Sequence, residues 1–316
     1  MNQYIRKPVF DWLSGKDNPL VRNLVLKEFF DDEDSATRME SVSFFKDKFP
    51  YCKAADLNRK SLYMTFAASA GMSVLEDFFS ECAEDVVASS FTECGGFSPA
   101  WKPRTACAGW SGSILKALLK AGYCGSEVHR CAEWLVSVQR NDGGWLYSPV
   151  LSSSDILKMY LFRKPGKGLV REAAQIPSSV IASACAVEAL MVYCNIYGKY
   201  SVAVQLGLNF LGGEIVKRKY EKRGIYYNSD FLKIANPLLC QTDILHVAAI
   251  LAKSGRLDRE TVPLFNKIVL KQNNFGSYNL ESAVHGTESF LNGGRSGVPD
   301  KWCTLNACRL FSAVSF

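Results

Sequence analysis

Apolar residues return every three to four positions through most of the chain, and strictly alternating runs are scarce. Four stretches show the helical period most clearly: WSGSILKALLKAGY (110–123), IASACAVEALMVYCNIYG (181–198), TDILHVAAILAKSG (242–255) and WCTLNACRLFSAV (302–314). Start and stop signals bracket them. Pro177-Ser178-Ser179, Pro237 ahead of Thr242, and Pro299-Asp300 mark helix starts. Gly122, Gly198 and Gly255 fall where a left-handed cap would end a helix. The pattern predicts an all-α protein.

One segment interrupts the pattern with unusual residues. SVQRNDGGWLYS (137–148) ends a helical run with a Gln, an Asn-Asp pair, two glycines and a tryptophan. The glycines and Asn-Asp break a helix, so Trp145 either anchors the turn or lines a cavity. The same unit recurs. Gln139 lies 17 residues after Gly122, and Gln272 lies 17 after Gly255. Gly143 and Gly276 each follow their Gln by four, and Trp145 and Tyr278 by six. A degenerate copy follows Gly198, with Phe210-Leu211 in the places of Trp134-Leu135 and a predicted end at Gly212-Gly213. A fourth ends in ECGGFSPAW, where Gly95-Gly96-Phe97 matches Gly143-Gly144-Trp145. Helix pairs repeated in this way bury their apolar faces by stacking on neighbours, in a solenoid or a closed ring. At roughly 50 to 65 residues per repeat there is room for about five hairpins.

Gln139-Arg-Asn-Asp-Gly-Gly-Trp145 resembles the QW repeat of the terpenoid cyclase and protein prenyltransferase superfamily. PLLCQTDILHVAAILAKSGRLD (237–258) and DKWCTLNACRL (300–310) are similar to a prenyltransferase-like or squalene-cyclase-like branch of it, over roughly residues 60–316. DNPLVRNLVLKEFF (17–30) fits the same branch. The resemblance implies an α/α toroid, a ring of helical hairpins, over 56–316, with an amino-terminal helical extension over 1–55. It also implies an isoprenoid or other apolar ligand, and a QW turn that ties an outer helix to its neighbours. An isoprenoid-converting enzyme and a non-catalytic ring that binds a lipid, peptide or protein are both consistent with it.

Fold does not carry function, so the chemistry rests on particular residues. Class II cyclases of this superfamily protonate their substrate with Asp-x-Asp-Asp, and class I synthases bind magnesium diphosphate with Asp-Asp-x-x-Asp. Neither motif occurs. The nearest run, Asp31-Asp32-Glu33-Asp34, follows an amino-terminal helix and reads as a solvated acidic turn. The prenyltransferase zinc motif Asp-x-Cys is missing too, so no cofactor is expected. The weak alternative is zinc held by Cys240, Asp243 and His246 with His285.

Asp243 and His246, at i and i+3 near a helix start, are the candidate catalytic pair, with Asp243 orienting His246 or acting as the acid. The competing reading makes Thr242 or Asp243 a helix cap. A sugar-cleaving toroid would need a second carboxylate at a matching helix start, and none is evident beside Asp243. If the helix starts face one mouth of a ring, the candidate substrate-binding residues are Cys107, Trp110, Ser178, Ser179, Ser183, Trp302 and Cys303. Aromatic walls there would suit an isoprenoid or a carbocation.

Composition adds less. Of 316 residues, 48% are hydrophobic and 22% charged, enough for one large or two ordinary domains. The net charge of +6 is spread along the chain, so no nucleic-acid partner is expected. Its densest basic run is VKRKYEKRG (216–224). Arg218 and Arg223, with Arg295 and Lys301, are the candidates for a diphosphate or anionic-lipid contact, and peripheral membrane contact would use them. No uncharged apolar run reaches 18 residues, and the amino terminus lacks a signal-peptide core; both imply a cytoplasmic protein. Eleven cysteines without a single CxxC pair read as free thiols buried as small hydrophobes.

Overall fold

The computed structural model describes residues 4–100, 104–147, 161, 177–220, 229–257, 261–283 and 294–314, with the side chains of 215–220 and 229–230 excepted. The chain divides into two compact units: Cys52–Glu214 with Leu239–Gln241, and Met1–Tyr51 with Ile215–Leu238 and Thr242–Phe316. Among the described residues are twelve α-helices and two strands of two residues each, so the all-α class holds.

In the larger unit, α4 (Leu57–Ser69), α6 (Ala108–Lys120) and α8 (Val180–Tyr197) pack side by side. Helices α5 (Asp77–Ser90) and α7 (Ser126–Ser137) lie against α4 and α6 respectively. Helix α9 (Ser201–Tyr220) begins in this unit. Tyr63, Phe79, Leu115, Leu118, Leu135, Trp145, Val187 and Leu190 are fully buried at its core. Helices α6 and α8 approach very closely at Gly112, where a Cβ would stand 2.5 Å from the backbone of Cys185. Lys116 and Glu188 then pair across the two helices at 2.7 Å.

Helix α8 is 18 residues long with a mean hydropathy of 1.6, long and apolar enough by composition to cross a membrane. The core helix of a packed domain meets the same description, and half of α8 is buried inside the molecule.

In the other unit, α1 (Lys7–Leu13) packs on α2 (Pro19–Phe29), and α2 on α12 (Lys301–Ala313). Helix α12 also packs on α10 (Ile244–Lys253), which meets α11 (Val262–Val269). Helix α3 (Ser35–Lys53) follows α2. Val9, Leu13, Val21, Val247, Leu251, Phe265, Tyr278, Leu305 and Phe311 form this core. The strands β1 (Ala235–Asn236) and β2 (Ser282–Ala283) pair in parallel.

The expected stops hold: Gly122, Gly198 and Gly255 have φ of 78°, 68° and 69° after α6, α8 and α10. The acidic run is a turn between α2 and α3. Asp34 Oδ1 accepts the Ala36 N–H at 3.1 Å and Oδ2 the Thr37 hydroxyl at 2.6 Å, while Glu33 pairs with Lys27. One expectation fails. Gly212-Gly213 does not end a repeat, because α9 runs through it to Tyr220. Each glycine weakens a helix by about 1 kcal/mol, but Leu208, Phe210 and Leu211 are buried just before the pair and hold the helix in place.

Candidate functional site

Three turns share one pattern of hydrogen bonds. At Phe97, Trp145 and Tyr278 the aromatic is fully buried, and the second residue before it is a glycine with φ of 102°, 86° and 91°. Each aromatic carbonyl accepts the N–H of a helix-capping residue, at the starts of α6, α8 and α12 in turn: Cys107 at 3.0 Å, Ser179 at 2.7 Å and Asp300 at 2.9 Å. Each aromatic N–H donates to the hydroxyl four residues past that cap: Ser111 at 2.8 Å, Ser183 at 2.9 Å and Thr304 at 2.9 Å. The Trp145 indole N–H also reaches the Leu135 carbonyl at 2.7 Å. Trp145 is therefore a staple. The turns position the starts of α6, α8 and α12, where most of the candidate residues lie.

Asp243 caps α10. Its Oδ1 accepts the His246 backbone N–H at 2.7 Å and its Oδ2 the Ala235 N–H at 2.8 Å. Burial pushes this carboxyl above the ordinary aspartate value of 3.8, against the two N–H groups that favour ionisation. The His246 ring meets Thr242 instead, with Nδ1 2.7 Å from the hydroxyl. The pair thus carries the capping geometry, with the imidazole held by Thr242.

At the start of α12, Asp300 caps through the Cys303 N–H at 2.8 Å. The sequence marked Asp300 as a helix start but not as the carboxylate that matches Asp243. Cys303 is buried. Its thiol is raised well above the ordinary range by that burial and by Asp300, Asp243 and Glu281 nearby. Trp302 is buried beside it. Lys301 is only 6% exposed, and its ammonium is held 2.5 Å from Asp17 and over the Trp12 ring. Its charge is met inside its own unit, and Arg295 is exposed. The side chains of Arg218 and Arg223 lie outside the described residues.

At the start of α8, Ser179 accepts the Ala182 N–H at 3.3 Å as cap, and Ser183 is the hydroxyl that receives Trp145. Ser178 bonds Asp142 at 2.8 Å. All three serines are engaged in the turn.

The start of α6 differs. Trp110 is buried, and its indole N–H has no hydrogen-bond partner among the described residues. Cys107, fully buried at the cap, places Sγ 2.8 Å from the Tyr147 carbonyl, while Cys240 Sγ lies 3.3 Å from the same tyrosine's hydroxyl. The Cys240 thiol, with the N–H groups of Trp110 and Gly109, outweighs burial and lowers the Cys107 pKa; the Cys107 thiol and burial raise that of Cys240 well above the usual range. Cys240 has a left-handed backbone, φ 53°, and its N–H is held by Ser113 Oγ at 3.0 Å. A non-glycine residue in that conformation is strained by about 1 kcal/mol. Tyr147 and its contacts with the two thiols went unread in the sequence, since nothing local links residues so far apart.

Among the described residues no group of three or more His, Cys, Asp or Glu side chains could hold a metal ion. Cys240 belongs to the larger unit and bonds there, Asp243 uses its oxygens as a cap, and His285 lies outside the described residues.

Comparison with protein-family models, curated proteins and solved structures finds no match to this chain.

Proposed function

We propose that the chain is an α/α toroid of the terpenoid cyclase and prenyltransferase kind, which binds an isoprenoid or similarly apolar ligand among its helix starts. The observation that supports this reading is the shared wiring of the turns at Phe97, Trp145 and Tyr278, a Gly-x-aromatic staple repeated along the chain as in QW-type hairpins. Buried Trp110, set on the first turn of α6, supplies an apolar wall in the larger unit. Binding is favoured over cyclisation because Asp243 gives both oxygens to backbone N–H groups and no Asp-x-Asp-Asp run exists.

The test is titration of the purified protein with farnesol and geranylgeraniol, followed by intrinsic tryptophan fluorescence. Native mass spectrometry of the unextracted protein runs alongside. Saturable quenching that weakens in Trp110→Leu, or a co-purifying apolar molecule, is expected. If neither alcohol binds and nothing co-purifies, the reading is wrong, and a protein or peptide ligand takes its place.

A further inference from the structure

We propose that Cys52 and Cys82 are a redox pair, which peroxide closes to a reversible disulfide that fastens the last turn of α3 to α5. Their Sγ atoms stand 3.7 Å apart in hydrogen-bonding contact, and both residues belong to the larger unit. Each sulfur needs to move less than about 1 Å to reach the ~2.0 Å of an S–S bond. The neighbouring residue on each helix makes a second link, an ion pair between Lys53 and Glu81. Two adjacent contacts, Cys52 with Cys82 and Lys53 with Glu81, therefore hold the end of α3 against α5 where the thiols meet.

The way α3 ends gives an oxidant its entry. Cys52 is the one buried side chain from Lys46 to Asp56, and Pro50, Tyr51, Lys53 and Ala54 around it are exposed. Pro50 lies inside the helix and has no N–H to give, so the last turn lacks one backbone hydrogen bond. A turn held by one small side chain, a surface ion pair and an incomplete set of hydrogen bonds opens locally at low cost. Opening carries Cys52, 0% exposed when the turn is closed, into water.

The two thiols then divide the chemistry. In water Cys52 loses its proton, and its thiolate attacks one oxygen of hydrogen peroxide. The O–O bond breaks, the departing hydroxide takes up a proton to leave as water, and Cys52 is a sulfenic acid. Cys82 is the resolving thiol. The bond to Cys52 and burial hold its proton on, and its S–H also reaches the Lys60 carbonyl at 3.7 Å. When the turn closes, Cys82 Sγ attacks the oxidised sulfur, its proton leaves with the displaced hydroxyl as a second water, and the S–S bond forms. The two thiols lose two electrons and two protons, and the peroxide is reduced to two waters. A dithiol reductant returns both thiols.

The test treats the full-length native protein with graded hydrogen peroxide, blocks remaining thiols with N-ethylmaleimide after unfolding, and maps peptides by mass spectrometry without reductant. A glutamate-specific protease is added to trypsin, because Cys82 and Cys94 otherwise share one tryptic peptide and Glu84 and Glu93 lie between them. A cross-linked pair carrying Cys52 and Cys82 is expected, two hydrogens lighter than its reduced form and lost on adding dithiothreitol. The oxidised protein should unfold at a higher urea concentration than the reduced protein, a shift that Cys52→Ala removes. In Cys82→Ser, with its fold checked by circular dichroism, Cys52 should stop at a sulfenic acid trapped by dimedone. The proposal is overturned if Cys52 and Cys82 stay fully alkylated at doses that oxidise exposed Cys124. It is also overturned if their link appears only once Cys131, fully buried in the same unit, is oxidised too, the mark of general unfolding.

Discussion

Gln139 and Gln272 make the same two hydrogen bonds in different parts of the chain. Each side-chain Nε2 donates at 2.9 Å to the carbonyl of the glycine four residues on, Gly143 or Gly276. Each also donates to a distant backbone carbonyl: Ala203 at 2.9 Å for Gln139, Tyr4 at 3.1 Å for Gln272. The amide closes the turn on itself and ties it to the segment beside it. Gln139→Ala removes two buried hydrogen bonds, to the Gly143 and Ala203 carbonyls, and should cost about 1 to 3 kcal/mol. Gln272 is less buried, so Gln272→Ala should cost less. Urea denaturation of the two variants measures the difference, and equal losses would contradict the burial argument.

The hydroxyls of Ser183 and Thr304 accept the backbone N–H of Trp145 and Tyr278 from inside the core. Thr304→Val keeps the side-chain volume and removes the hydroxyl, which accepts the Tyr278 N–H and donates to the Asp300 carbonyl at 2.7 Å. It should destabilise by about 1 to 3 kcal/mol, the cost of a buried N–H left unpaired. Thermal melts of Thr304→Val and Thr304→Ser decide it, since serine restores the acceptor and should recover most of the loss.

Gly143 and Gly198 both have positive φ, but only one is crowded. A Cβ at Gly143 would lie 2.3 Å from the Leu206 carbonyl oxygen, whereas Gly198 has open space. Gly198→Ala should therefore cost about 1 kcal/mol, the left-handed strain alone. Gly143→Ala adds a backbone clash and should cost about 3 kcal/mol. Comparable denaturation midpoints for the two would show that the turn after α7 yields more easily than its geometry indicates.

The Lys116–Glu188 pair gives α6 and α8 an alkaline limit. Burial pulls the Lys116 pKa down, but the Glu188 carboxylate more than compensates, and the net value lies above the ordinary 10.5. A lysine raised on folding contributes stability that is complete below 10.5 and disappears as pH climbs through the raised value. Urea midpoints should fall over that range in the wild type, and less steeply in Lys116→Met. Parallel pH profiles would assign the alkaline loss to other groups.

Asp243 tests capping against catalysis by substitution alone. Asp243→Ala strips the acceptor from the His246 and Ala235 N–H groups and should lower stability by about 1 to 2 kcal/mol. Asp243→Asn retains one acceptor oxygen and should lose less. Because the buried carboxyl is raised above 3.8, the native state holds its proton longer than the unfolded chain does. Ionising Asp243 thus erodes stability as pH rises from 3.8 through the raised value, and Asp243→Asn should flatten that slope. Equilibrium unfolding across the acidic range measures both effects.

Much of the local structure was legible. Gly122, Gly198 and Gly255 ended helices as read, because a left-handed cap suits glycine and few other residues. The alignment of Gly95-Gly96-Phe97 with Gly143-Gly144-Trp145 also held, since a turn's internal bonds depend on neighbours in sequence. The partners of those turns were not legible. The accepting hydroxyl lies 14 residues past Phe97, 38 past Trp145 and 26 past Tyr278, so no fixed spacing reveals it. Gly212-Gly213 misled for the converse reason: a local breaker was overridden by burial of the helix that contains it.

By itself the sequence determined the helical class, the places where most helices begin and end, and the internal shape of the repeated turns. These follow from hydrophobic period, caps and glycine, all set within a few residues. Only the tertiary structure decided that Asp243 caps through Ala235 and His246, that Lys301 is met by Asp17, and that Cys107 and Cys240 both meet Tyr147. Hydrogen bonds, desolvation and thiol acidity depend on which atoms packing brings within a few ångströms. Residues far apart in the chain acquire those neighbours only when the helices that carry them pack together.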